Sequence, residues 1–251
     1  ERVMDNLLYI AMSGAKENMN SLAVRSNNLA NANTVGFKAD LEQARAMQVY
    51  GDGLPSRVFA MTESPGQRMD QGGLMTTGRD LDIAIQGDGM LAVQDANGKE
   101  AYTRMGNLRV SPLGVLETST GLSVLDDAGN PIVLPLPMEK VEINQDGTVI
   151  GRPEGSTPET VEEYQRIKLV LPDIKAINKG DDGLFRRNDS QSEQASASVR
   201  VASGALESSN VNVVDEMTNL IRLQRQYETQ VKMMQTADKN DEAQNQLLRL
   251  V

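Results

Sequence analysis

At both ends of the chain, positions of one kind return at alternating steps of four and three. Near the N terminus they are Leu8, Met12, Ala15, Met19, Leu22, Ser26 and Leu29; near the C terminus they are Met217, Leu220, Gln224, Tyr227, Val231 and Met234. This heptad spacing predicts two helices, each burying a narrow stripe against other helices. The middle has the opposite character. All nine prolines fall between Pro55 and Pro172, and sixteen of the twenty-one glycines between Gly51 and Gly155, which confines long helices to the ends. The pattern predicts an α+β fold, with N- and C-terminal helices pairing as a coiled coil and a central antiparallel, strongly curved all-β domain.

Four segments follow. Residues 4–36 form the N-terminal helix, with Asp5 as an N-cap type, an end near Asn31 and Gly36 as the first firm stop. Residues 37–79 read as an extended connector with room for one hairpin, because Gly51, Gly53, Pro55, Pro65, Gly66, Gly72 and Gly73 interrupt it. Residues 80–205 are the β-rich domain. Residues 206–251 hold the C-terminal helix, beginning near Asn212 with Asp215 at a capping-box-like spacing. In the β domain Leu81, Ile83 and Ile85 alternate with Asp82, Ala84 and Gln86, and Gly87-Asp88-Gly89 reads as a hairpin turn leading to Leu91 and Val93. Further strands are expected at 101–104, 108–110, 122–125, 132–134, 141–143, 148–150, 167–171 and 199–202. Asn97-Gly98, Asp146-Gly147 and Asp182-Gly183 supply positive φ at turns.

Composition removes most chemistry. The chain has no cysteine and no histidine, so disulfides, the usual zinc sites, thiolate nucleophiles and imidazole bases are all excluded. A net charge of −10 repels a phosphate backbone, and no nucleic-acid partner is expected. The N-terminal apolar run, Leu7 to Met12, is shorter than a signal-peptide core or a membrane span, so neither direct membrane insertion nor a cleaved signal is expected. Met4-Asp5 reads as a natural start, which leaves Glu1 to Val3 as either a vector remnant or a misassigned leader.

The candidate sites are mostly plain structure. Asp80 and Asp82 could share one side of a strand as an acid/base pair, but charged residues alternating with Leu81 and Ile83 on a wet sheet face explain them as well. Asp126-Asp127 and Asp181-Asp182 read as turns. The loops 144–147 and 180–183 lack the ligand spacing of an EF-hand, and Gly87-Asp88-Gly89 lacks the third glycine of a dinucleotide fingerprint. No catalytic, metal-binding or cofactor-binding residue is assigned. The helix methionines fit either core filling or an interface that accepts non-identical neighbours. The amides of Asn27, Asn28 and Asn31 are poor choices for a helix interior and suit a second face meeting other polar helices. The expected assembly interface therefore comprises Leu8, Met12, Ala15, Met19, Leu22, Leu29, Asn27, Asn28, Asn31, Met217, Leu220, Tyr227, Val231, Met234 and Leu248.

Four stretches resemble one family. Asn28-Leu29-Ala30-Asn31 with Thr34 and Gly36-Phe37-Lys38 resembles the N-terminal signature of the axial proteins of the bacterial flagellum, the rod and hook subunits. Leu81-Asp82-Ile83-Ala84-Ile85-Gln86-Gly87-Asp88-Gly89 is similar to a second motif of that family, and Tyr102-Thr103-Arg104-Met105-Gly106 to a third, departing from it at Met105. Gly204-Ala205-Leu206-Glu207-Ser208-Ser209-Asn210-Val211-Asn212, leading into Met217 and Gln224-Arg225-Gln226-Tyr227-Glu228, completes the set. Within the family the opening residues and the length are most similar to a proximal-rod subunit, with the distal-rod paralogue as runner-up.

The resemblance implies a non-enzymatic rod subunit with no cofactor. Its helices would line a hollow, torque-bearing polymer in the periplasmic part of the basal body. Its partners would be copies of itself, other proximal-rod proteins, the distal-rod protein and the flagellar type III export apparatus. Two readings of other classes stay open beside it. One is a secreted β-rich glycan hydrolase using Asp80 and Asp82, and the other is a soluble homo-oligomeric coiled-coil scaffold.

Overall fold

The computed structural model describes residues 2–48, 58–157 and 161–248, and the side chains of 2–10, 42–48, 58–65, 241–242 and 244–248 lie outside the description. Gly51, Gly53 and Pro55, which interrupt the connector, fall outside it as well. The chain divides into two compact units. One, here the helical unit, takes residues 1–32, 39–68 and 211–251; the other, the β unit, takes residues 33–38 and 69–210.

The helical unit holds α1 (Arg2–Ala30), the strands β1 (Asp40–Gln48) and β2 (Val58–Gln67), and α2 (Val213–Leu248). Helix α1 is already running at Arg2, so Asp5 is an interior residue and not the cap expected of it. The other start is as expected. Asn212 caps α2, its Oδ1 accepting from the Val214 and Asp215 amides at 3.1 and 3.4 Å. The helices run antiparallel side by side: Asn18 meets Gln230, while Arg25, one heptad further on, meets Glu216. Strands β1 and β2 form the one hairpin for which the connector had room, in antiparallel register from Asp40↔Gln67 to Gln48↔Val58.

The β unit holds fourteen strands. They are β3 (Leu74–Thr76), β4 (Ile83–Gln86), β5 (Met90–Gln94), β6 (Glu100–Thr103), β7 (Leu108–Val110), β8 (Leu116–Thr118), β9 (Met138–Ile143), β10 (Thr148–Pro153), β11 (Glu162–Arg166), β12 (Leu169–Val170), β13 (Ile177–Lys179), β14 (Phe185–Arg187), β15 (Arg200–Ser203) and β16 (Ala205–Glu207). Every registered pair among the described residues is antiparallel. One sheet has the order β12-β5-β6-β14-β13, a second has β11-β10-β9, and β15-β4, β16-β3 and β7-β8 stand as separate pairs. None of these sheets closes on itself.

The expected turns at Gly98, Gly147 and Gly183 do close the hairpins β5-β6, β9-β10 and β13-β14, each with φ between +76 and +89°. The turn at Gly87-Asp88-Gly89 does not make a hairpin: β4 pairs with β15, while β5 pairs with β6 and β12. Segments 122–125 and 132–134 join their neighbours through isolated bridges and not as strands of their own. In β5, Leu91 and Val93 enter the main core with Ile83, Ile85 and Val201, while Met90 and Ala92 enter a second one with Tyr102 and Phe185. A strand buried on both faces reads as a continuous apolar run. The alternation at 81–86 is also only partial, because Ala84 is fully buried and Asp82 nearly so, leaving Gln86 as the one exposed residue of β4.

Candidate functional site

Three of the family-like stretches place one charged residue each at a single buried point of the β unit. Lys38, Arg104 and Glu207 have side-chain exposures of 0, 1 and 1%. Lys38 Nζ donates to Glu207 Oε1 at 2.7 Å and to the Asp70 carbonyl at 2.7 Å. Glu207 Oε1 also accepts from the Gly72 amide at 3.0 Å. Its Oε2 takes Arg104 Nε at 2.7 Å and Nη2 at 2.6 Å. The remaining Arg104 donors go to the carbonyls of Ile85, Gly87 and Gly89 at 2.9, 2.8 and 2.6 Å, so the second motif joins the same point through its backbone. Every N–H of the guanidinium is satisfied, which a buried Arg requires.

Two cations share one carboxylate here. Burial pushes the Glu207 carboxyl up, but the hydrogen bonds from Lys38, Gly72 and Arg104 outweigh it and hold the acid below its ordinary value. Lys38 is held below the usual lysine value, by burial first and by the like charge of Arg104, against the opposing pull of Glu207. The two directions agree: with charge in excess on the basic side, the acid gains from the arrangement and the amine does not. The excess positive charge rests on carbonyl dipoles.

Glycines let the backbone close in around this cluster. Gly36 sits at φ +67° against the Arg104 carbonyl, where a Cβ would land on backbone, and its amide donates to the Glu207 carbonyl at 2.8 Å. A Cβ on Gly106 would meet the Ile83 carbonyl, and one on Gly72 the Ser208 carbonyl. Phe37 lies under the Lys179 ammonium, 4.0 Å from the ring centre, and that ammonium also donates to the Lys38 carbonyl at 2.9 Å. The departure at Met105 is harmless, because Thr103 Oγ1 accepts from the Met105 amide and makes the turn. In the sequence Lys38, Arg104 and Glu207 stand inside the family-like motifs with nothing to mark a role for any of them. No spacing rule joins positions 38, 104 and 207.

A second polar knot lies in the helical unit. Asn28 is fully buried; its Nδ2 donates to the Asp40 carbonyl at 2.9 Å and its Oδ1 accepts from the Asp40 amide at 2.9 Å. Glu216 accepts from Arg25 at 3.1 Å and from Asn28 at 3.4 Å. Asn28 is thus spent inside the chain, holding the start of β1, and does not serve as a lateral amide. Asn27 is exposed, and Asn31 bonds back to the Asn27 carbonyl at 2.9 Å.

The expected seam residues divide. Ala15 is buried, and Leu22, Leu29, Leu220, Tyr227, Val231 and Met234 are half-buried, whereas Met12, Met19 and Met217 are 53, 57 and 51% exposed. The side chains of Leu8 and Leu248 lie outside the described residues. Among the motif residues, Ala30 is exposed, Leu81 and Phe37 are half-buried, and Gly36, Asp82 and Ala84 are buried.

Asp80 and Asp82 do not form a carboxylate pair. Asp80 is half exposed and faces Lys140 at 3.6 Å, while Asp82 is buried and takes Arg79 at 3.2 Å. Asp82 is therefore not on a wet sheet face either. Asp126 and Asp182 accept amides within their own turns, Asp126 from Ala128 and Asn130 and Asp182 from Leu184. A groove of about 200 Å³ beside β9 and β10 is lined by Lys140, Glu142 and Arg152, whose charges pair with each other and with Glu139.

Comparison with known proteins fits this picture. Residues 8–38 match a family described as flagella basal body rod protein, residues 84–151 the flagellar hook protein FlgE/F/G D1 domain, and residues 202–247 the flagellar basal body rod FlgEFG protein C-terminal family. The flagellar basal-body rod protein FlgF of Salmonella typhimurium is 42% identical over 98% of this chain and 100% of its own length. FlgF of Caulobacter vibrioides is 37% identical over 92% of this chain and 93% of its own. The rod protein FlgG of Bacillus subtilis is 32% identical over 92% of this chain and 94% of its own. The chain therefore belongs to the FlgF family of flagellar basal-body rod proteins, structural subunits of the rod and not enzymes.

Proposed function

We propose that the chain is a subunit of the proximal rod, polymerising into a hollow shaft that carries motor torque across the periplasm. Its partners are copies of itself, other proximal-rod proteins and the distal rod protein FlgG, and the flagellar type III apparatus exports it. The two helices pair as a coiled coil and form the inner part of the polymer. Their facing line supports this: Ala11, Ala15 and Asn18 are buried and Leu22 and Arg25 half-buried, at steps of four and three.

The observation that carries the reading is what the pair leaves outside. Met12, Met19, Val214, Met217, Ile221 and Met233 are 46–70% exposed, and among the described residues of these helices the buried apolar side chains are the small ones of Ala11, Ala15 and Ala237. Scattered exposed apolar residues are ordinary, but this number on one helix pair is surface that further helices cover. Flexible thioethers suit neighbours that are not identical.

Hydrogen exchange on the purified chain and on isolated basal bodies tests the reading. Amides of α1 and α2 should exchange far faster than those of β5 and β6 in the free chain, and become protected in the rod. Helices as protected as the β unit in a monodisperse free chain, with no further gain on assembly, would sink it.

A further inference from the structure

The β unit has a middle that pairs with itself and a beginning that pairs with its end. Between residues 90 and 187 the five-stranded and three-stranded sheets form all their described ladders inside that span, with one bridge from Val170 out to Ala195. Strands β3 and β4 differ. Among the described residues β3 forms a ladder only with β16, from Thr76↔Ala205 to Leu74↔Glu207, and β4 only with β15, from Gln86↔Arg200 to Ile83↔Ser203. Their ties to the middle are single bonds, from residues 81–83 to 106–108, from Arg104 to the Ile85 carbonyl and from the Val201 amide to the Gln145 carbonyl, together with the packing of Ile83, Ile85 and Val201 in the main core.

The bonds around the ladders follow the same plan. The Gly204 carbonyl accepts from Thr77 and Gly78 at 2.8 and 3.0 Å, the Gly204 amide donates to Asp82, and the Ser208 amide donates to Gly73. Residues 36–38 are fixed from residue 207 and its surroundings. The Gly36 amide reaches the Glu207 carbonyl, the Asn210 amide reaches the Phe37 carbonyl at 3.3 Å, and Lys38 meets the Glu207 carboxylate. That carboxylate is shared with Arg104. Without it, Arg104 would lose its carboxylate and Lys38 its direct ion pair, leaving Lys38 only the charge of Asp70 nearby, and breaking a buried pair costs several kcal/mol.

We infer that residues 33–38, 72–86 and 200–210 form one cooperative closing unit, separate from the 90–187 middle and the last part of the β unit to shut, with Glu207 as its latch. The middle can complete its sheets as soon as its own residues are available. The first strands cannot, because their ladders and the counter-charge for Lys38 and Arg104 are carried by residues 200–207. A chain delivered from its N terminus therefore keeps residues 33–38 and 72–86 open until residue 207 has arrived. Closure is tied to the end of the unit and not to its beginning.

Native-state hydrogen exchange on the full chain tests this, because a cooperative substructure opens with one free energy of its own. The amides of Gly36, β3, β4, β15 and β16 should share one opening free energy, below that of β5, β6 and β14. Val201→Ala removes buried methyl groups in β15 and should raise exchange in the whole closing group about tenfold or more. Glu207→Gln should do the same by removing the latch charge. Ile177→Val, which trims the second core, should speed exchange of β5 and β6 severalfold and leave the closing group unchanged, because the middle stays folded when that group opens. Should the Gln variant fail to fold, the Val201→Ala and Ile177→Val chains decide alone. One opening free energy shared by β3, β5 and β15, or equal acceleration of all three by Ile177→Val, would overturn the inference by showing one undivided unit. Acceleration confined to β15 and β16, with β3 and β4 still protected, would overturn it as well.

Discussion

A single carboxylate, Glu207, neutralises two fully buried cations, and this sets what substitution and pH should do. Glu207→Gln keeps the shape but strands Lys38 and Arg104, and loss of one partner of a buried ion cluster typically costs about 3–5 kcal/mol. Denaturant titration of the β unit should show a loss of that order. Because the folded-state pKa of Glu207 lies below its unfolded value, its contribution is full above the unfolded pKa and is lost as pH falls through the folded one. Unfolding free energy should therefore decline below about pH 4.5, a typical unfolded carboxyl value. The decline should be shallower in Glu207→Gln, with the rest shared by Asp95 and Asp182, both held low mainly by Arg186, Asp146, held low mainly by the Thr148 amide, and Asp189, held low mainly by Arg187. A variant with the unaltered pH slope would contradict the assignment. Gly36→Ala meets both a left-handed φ and the Arg104 carbonyl, so it should destabilise by well over the ~1 kcal/mol that an unstrained Gly→Ala replacement gains. Such residues stand out in a sequence only as members of a motif. Their roles stayed hidden because the charges meet through three distant parts of the chain.

Periodicity reveals an element more readily than the face it turns. Both helices and the seven-residue repeat were legible, since the 3.6-residue period leaves its mark wherever one side is drier than the other. Which residues of the repeat face the chain's own second helix was not legible: in α1 the inner line runs through Ala11, Ala15 and Asn18, and the methionines at 12 and 19 are exposed. A rule that weighs hydrophobicity favours methionine over alanine for the interior. Close helix approach favours the smaller side chain: Gly14 packs so near Gln230 that a Cβ would stand 2.6 Å from its Nε2. Strands β5, β6, β7, β9 and β10 were legible from β-branched and apolar runs beside Asn-Gly and Asp-Gly turns. The strands β11, β14 and β16, with charged residues such as Glu163, Arg186 and Glu207, were not, because their partners and not their own pattern make them strands. Asn28→Ala tests the helical unit at this scale. It leaves the Asp40 amide and carbonyl without their side-chain partner and takes a donor from Glu216, at a cost of about 1–3 kcal/mol. Faster exchange of the Asp40 amide, with the β unit unaffected, is the expected result.

Two units of unequal interior should not melt together. The β unit encloses two apolar clusters built from β-branched and aromatic side chains, whereas the described helix contacts bury alanines and polar groups. Calorimetry of the purified chain should resolve two transitions, the helical unit unfolding first and Val93→Ala lowering only the upper one. One two-state transition would show the division to be geometric and not energetic. The places where backbone passes between the units are gathered at one corner of the β unit. There Asn210 bonds the Phe37 carbonyl through its backbone amide and the Asp70 carbonyl through its side chain, and Lys38 reaches the same Asp70 carbonyl at 2.7 Å. Loops of the β unit away from these bonds can be enlarged, trimmed or exchanged while the bonds are kept. An insertion there should leave the helical unit's own melting transition where it was, so that the size of one unit can change without changing the other.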